Sequence, residues 1–192
     1  MGKRICLFCA SSDRIAPEYI EAAAQFARLA VKEGYSLVCG GTAKGLMKAL
    51  IGATVEAGGV IEGIVPEFMI RYGWDDKRLS RLIVTKTMQE RKRLLMQDAD
   101  AIVAFPGATG TLEELCEAIC LKRLGRLSLP IIIFNQKGFY NSLLRFFEDM
   151  IREQMLESSQ LSAWHVVDRV EDILPTIEAE PEWSPDLTHY HG

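Results

Sequence analysis

Short apolar runs alternate along this chain with longer segments whose apolar positions recur at helical spacing. The runs at 5–9, 35–39, 60–65, 82–85, 100–105, 129–134 and 164–168 have the length and near-continuous hydrophobicity of strands buried on both faces. Helical spacing marks 19–32, 46–57, 87–97, 140–155 and 170–177, together with a segment that follows the run ending at Phe105 and continues to about 124. Punctuation agrees with these bounds. Pro17 suits a first helical turn, Gly34 and Gly125 stand where helices stop, and Pro66 closes a strand. Such alternation predicts an α/β fold, a doubly wound parallel sheet in three layers (α/β/α), as a single domain over residues 1–178. Residues 179–192 lack any period and read as an extended or disordered tail. The stretch 67–83, which holds Arg71, Tyr72, Trp74, Asp75, Asp76 and Lys77, also lacks a clean period and reads as a mobile segment, a lid.

In doubly wound sheets ligands bind beyond the carboxyl ends of the strands. Three loops are expected on that edge: one with Ser11 and Ser12, one with Gly40, Gly41 and Thr42, and one running Pro106-Gly107-Ala108-Thr109-Gly110-Thr111. The third joins a buried strand to a helix start through small residues. First-turn N–H groups there lack intrahelical partners, and the aligned peptide dipoles favour an anion. Thr111 followed by Glu114 has two readings. The pair fits a capping box that closes the helix on itself. Alternatively, Glu114 is a carboxylate held at the mouth of an anion cradle. The basic run Arg91-Lys92-Arg93 alone would read as a solvated helix face. Its helix leads directly into the strand that carries the glycine loop, however, which makes it a candidate to face the same pocket, where an arginine can grip phosphate with two parallel hydrogen bonds.

Composition narrows the chemistry. The 192 residues are 48% hydrophobic, enough for one sizeable core, and the net charge of −4 argues against a broad nucleic-acid surface. No apolar run is long enough to span a bilayer, and the N-terminus does not resemble a secretory signal, so a cytoplasmic protein without membrane contact is expected. Cys6 and Cys9 fall three apart on a strand and so face opposite sides, while Cys116 and Cys120 share a helical face without histidines to complete a zinc set. The thiols are expected to be buried small hydrophobes, and no metal site is expected. All three histidines (His165, His189 and His191) lie near the C-terminus, so acid–base work at the glycine loops must fall to carboxylates.

Neither nucleotide fingerprint is present: residues 40–45 lack GxGxxG order, and no Lys-Ser/Thr follows Gly107–Thr111. The loops suit a mononucleotide or sugar phosphate better than a dinucleotide or triphosphate. Met88-Gln-Glu-Arg91-Lys92, followed by Pro106-Gly107-Ala108-Thr109-Gly110-Thr111-Leu-Glu-Glu114, resembles the two-part signature of the Lonely Guy family. Supporting similarity runs through Phe8-Cys9-Ala-Ser11-Ser12, Gly40-Gly41, Gly45-Leu46-Met47 and Gly138-Phe-Tyr140-Asn-Ser-Leu, and covers about residues 4–170. Family members are cytokinin riboside 5′-monophosphate phosphoribohydrolases, often mislabelled lysine decarboxylases. The resemblance implies a Rossmann-like fold, a homodimer with its site close to the subunit interface, and hydrolysis of a nucleoside 5′-monophosphate, AMP or an N6-modified AMP, to free base and ribose 5-phosphate. It implies a catalytic pair of Arg91 and Glu114 and substrate binding by Lys92 and residues 108–111, with Gly107, Ser11, Ser12, Gly40, Gly41 and Thr42 as further binding candidates from the loops. That chemistry calls for no cofactor. Ala108 and Thr42 stand where the family usually carries glycine, and a Cβ at either is expected to disfavour positive φ and narrow the approach to phosphate. They motivate the alternative of a non-catalytic carrier of a nucleotide or phosphorylated cofactor on the same fold. A decarboxylase is disfavoured, since no lysine stands in a context suggesting a pyridoxal Schiff base.

Overall fold

Seven parallel strands form one sheet in the computed structural model, which describes residues 3–179. In chain order the elements are β1 (Arg4–Phe8), α1 (Pro17–Lys32), β2 (Ser36–Cys39), α2 (Gly45–Glu56), β3 (Ile61–Pro66), α3 (Glu67–Arg71) and β4 (Arg81–Thr85). They continue with α4 (Met88–Met96), β5 (Ala101–Ala104), α5 (Thr109–Arg123), β6 (Ile131–Phe134), α6 (Asn141–Arg152), β7 (His165–Val167) and α7 (Ile173–Ala179). The strand order β4-β3-β2-β1-β5-β6-β7 reverses direction at β1, so the crevice between the ends of β1 and β5 is the topological switch point. The doubly wound α/β expectation is met.

Strand period 2 divides the core into two layers. Ile5 and Leu7 of β1, Val103 of β5 and Phe134 of β6 pack on the side of α1, α2 and α7. Cys6, Phe8, Ile102 and Ile133 pack on the side of α4, α5 and α6. Cys9 joins the first layer and Cys6 the second, as their spacing requires. Cys39 is buried too, but Cys116 is only half-buried and Cys120 is exposed, so the expectation of buried thiols fails for the α5 pair.

Element bounds shift by one to three residues, with one larger correction. The segment after Pro66 is not wholly irregular: α3 occupies its start, β4 takes its end from Arg81, and residues 74–76 between them are tied to the glycine loop of β2. Asp76 N–H donates to the Gly41 carbonyl at 2.9 Å, and Ala43 N–H to the Trp74 carbonyl at 2.9 Å. The Asp76 carboxylate takes the Arg78 guanidinium through two oxygens, at 3.0 and 2.6 Å, which holds its pKa below the ordinary carboxylate value. At the other end of the chain α7 runs to Ala179, one residue into the expected tail; residues 180–192 lie outside the described residues.

Candidate active site

Two helices meet at the switch point, and each begins differently. Helix α4 is capped by Thr87, whose Oγ1 accepts from Glu90 N–H at 3.1 Å, while Glu90 Oε2 accepts from Lys86 N–H at 2.9 Å. Helix α5 has Ala108 as N-cap and no side-chain cap. Thr111 is therefore the third helical residue, inside the first turn, and the capping-box reading of Thr111 and Glu114 does not hold. The open first turn faces the crevice.

Glu114, one turn further on, points at Arg91 of α4. Arg91 NH1 donates to Glu114 Oε1 at 2.7 Å and Arg91 Nε donates to the Ile64 carbonyl of β3 at 3.0 Å. Both are almost fully buried, at 6% and 9% exposure. Desolvation of each charge opposes the Coulomb gain of such a pair, so the two bonds that fix the guanidinium matter. Burial pushes the Glu114 carboxyl above its ordinary pKa, and the neighbouring guanidinium pulls back against it. Gly40 makes the arginine's position possible: a side chain there would collide with Arg91 NH2. Among the described residues no hydrogen bond from that NH2 is seen.

A cleft of about 170 Å³ opens over this pair. Of the residues expected from sequence, Ser11, Thr42, Ala108, Gly110, Thr111, Arg91 and Glu114 line it. Gly40 and Gly107 stand behind it. Gly107 lies so close to Thr111 that any Cβ would meet the hydroxyl, which presses the loop onto the helix start. Gly41 backs onto Gly63 of β3, and Thr109 is exposed at the α5 start. Ser12 is turned away, its Oγ accepting from Arg14 N–H at 3.3 Å. Lys92 is not brought to the cleft either. It ties α4 to the outer face of α5 through Glu113 and Glu117, the latter at 2.8 Å, and the Glu113 hydrogen bond leads in raising its pKa. The geometry also removes the expected strain. Ala108 sits at φ −89°, where a Cβ costs nothing, and the positive φ of the β2 loop falls on Gly41 rather than Thr42.

Sequence reading missed three methionines, Met47, Met69 and Met88, which form an apolar wall of the same cleft. They belong to three helices, so no local pattern joins them. Their shared signal, a methionine in the first or second turn of a helix that follows a strand, is visible only once the sheet order is known.

The family model described as "Possible lysine decarboxylase" matches residues 47–177. A cytokinin riboside 5′-monophosphate phosphoribohydrolase of Arabidopsis thaliana is 36% identical over 82% of this chain and 74% of its own length. The chain belongs to the Lonely Guy family. A second Arabidopsis family member of that name is 33% identical over 92% of the chain and 78% of its own length. In fold, Lonely Guy architecture extends further: the molybdenum cofactor carrier protein of Chlamydomonas reinhardtii superposes with a TM-score of 0.73 at 18% identity, over 94% of this chain and 100% of that one. The molybdenum cofactor binding protein of Rippkaea orientalis does so with 0.68 at 17% identity, over 93% and 97%. Among the described residues no helix is long and apolar enough to cross a membrane.

Proposed function

We propose that this protein hydrolyses the N-glycosidic bond of a nucleoside 5′-monophosphate, AMP or an N6-modified AMP such as a cytokinin riboside monophosphate, releasing the base and ribose 5-phosphate. The observation that carries the reading is the buried Arg91–Glu114 pair beside an uncapped helix start in one cleft. Phosphate sits at the free N–H groups of the α5 first turn, with the Thr111 hydroxyl beside it. The sugar then lies over Glu114. As the bond from C1′ to the base nitrogen breaks, the ribose ring gains oxocarbenium character. The Glu114 carboxylate stabilises that positive charge and takes a proton from the water whose oxygen joins C1′, while the base leaves with the bonding pair and is protonated by solvent, to which Glu114 then returns its proton. Arg91 stays charged throughout. It holds Glu114 in one rotamer and keeps enough of it ionised, against the pull of burial, for this role. The methionine wall offers the base a polarisable, adaptable surface.

Relatives bearing the phosphoribohydrolase name over most of this chain support the reading. A homodimer belongs to the same proposal: exposed Phe68, Tyr72, Val84 and Met88 follow α3, the edge strand β4 and the start of α4, alongside the cleft. So does a cytoplasmic location. Incubation with AMP and isopentenyl-AMP, with chromatographic detection of free base and ribose 5-phosphate, tests the reaction. Tight calorimetric binding of both without cleavage of either defeats it and leaves a carrier.

A further inference from the structure

The buried tyrosine after the 136–138 turn has no part in the reaction described above, yet its hydroxyl reaches the phosphate loop. Tyr140 is 4% exposed, and its O–H donates to the Phe105 carbonyl at 2.7 Å. Phe105 is the residue before Pro106, so that carbonyl belongs to the peptide plane that opens the Pro106–Thr111 loop. The next carbonyl, that of Pro106, accepts from Ala10 N–H at 3.2 Å. Two successive peptide planes are thus fixed, one by a side chain and one by the neighbouring loop, and together they set the directions of the N–H groups that follow.

The tyrosine is itself braced. Asn135, at the end of β6, accepts from Tyr140 N–H at 2.8 Å through Oδ1. Its Nδ2 donates to Asn141 Oδ1 at 2.9 Å and Asp168 Oδ1 at 3.2 Å. Between the two residues the chain reverses through Lys137 and Gly138, both at positive φ, which turns Tyr140 back under β5. Burial raises the pKa of the phenol, so it remains a donor across the working pH range.

We propose that Tyr140, braced by Asn135, is a positioning residue that pre-orients the phosphate-binding amides of the Pro106–Thr111 loop. The idea rests on the reading that this loop binds the 5′-phosphate. Oriented donors bind an anion without reorganisation, so loss of the hydroxyl costs phosphate affinity and leaves the base side untouched.

Tyr140→Phe removes one oxygen from a buried ring. KM for AMP and the dissociation constant for ribose 5-phosphate are expected to rise by about 5- to 20-fold, the scale of one buried hydrogen bond. Turnover at saturation stays within about twofold, and product inhibition by free adenine is unchanged. A purely structural role lowers the melting temperature without separating the two products. Unchanged ribose 5-phosphate affinity in folded Tyr140→Phe overturns the proposal, as does an equal loss for ribose 5-phosphate and adenine. Asn135→Ala keeps the hydroxyl but removes its brace, and a smaller shift confined to ribose 5-phosphate is expected; this variant decides the matter if Tyr140→Phe does not fold. Should the wild type cleave no nucleotide, the catalytic reading fails, and calorimetry with ribose 5-phosphate still judges the role of Tyr140.

Discussion

The starts of α4 and α5 carry the same four-residue pattern, Thr-x-x-Glu, and use it in opposite ways. At 87–90 the threonine caps the helix and the glutamate folds back to the backbone of Lys86. At 111–114 the helix has already begun at Thr109, the threonine lies within it, and the glutamate leaves the local backbone for an arginine 23 residues away. Where the helix starts relative to the motif decides whether its polar groups are consumed locally or remain free for a ligand. An alanine N-cap, which contributes no side-chain acceptor, leaves the α5 amides open.

That contrast is broken most severely at its buried partner. Glu114→Gln keeps the shape and removes the charge, and base release from AMP is expected to fall by about 10²- to 10⁴-fold, the range for loss of a positioned acid–base group. Single-turnover assays with the purified variant measure it, and retention of wild-type rate removes the proposed mechanism. Arg91→Ala strands a carboxylate that is 9% exposed, and denaturant titration is expected to show a loss of about 3–5 kcal/mol.

The pH response sharpens the same point. Glu114 holds its proton more tightly folded than unfolded, because of burial. The native state therefore binds the extra proton between the ordinary carboxylate value and the raised one, and stability falls as pH rises through that window. Activity has the opposite sign, since the working form is the carboxylate: kcat/KM should climb as pH rises through the raised value. Glu114→Gln should flatten this stability slope, which urea titrations across the acid range can detect.

Smaller effects separate the two helix starts. Thr87→Ala is expected to cost about 1 kcal/mol of stability with unchanged KM, as the loss of a cap should. Thr111→Ala, which uncaps nothing, is expected to raise KM for AMP with a smaller effect on melting temperature. Equal behaviour of the two variants in melting and KM assays would erase the distinction. Smallest is Lys92→Ala. One of its partners, Glu113, is half in water, so at most about 1 kcal/mol is at stake, and KM should not move if the lysine only ties α4 to α5.

Much of this molecule was legible in one dimension. Continuous apolar runs such as Ile131–Phe134 are what a strand covered on both faces requires, and alternation with helices leaves few topologies. The pairing of Arg91 with Glu114 followed from the family signature, and the opposed faces of Cys6 and Cys9 followed from strand period alone. Lys92 does not line the cleft beside Arg91 because adjacent residues on a helix point about 100° apart, and it pairs with Glu113 and Glu117 instead. The methionines stayed hidden for a related reason: apolar residues near helix starts look like core until the sheet order shows what they border.

The sequence by itself therefore determined the strand–helix alternation, the sheet edge on which the loops gather, and the residue types available for chemistry there, since these depend on periodicity and backbone preference over short spans. Only the tertiary structure decided which Thr-x-x-Glu is a cap, which basic residue enters the cleft, and which hydroxyl holds the Pro106–Thr111 loop. Those outcomes depend on groups 23 to 35 residues apart being buried together. A buried polar group must find its partner wherever the fold places one, and no local pattern records that choice.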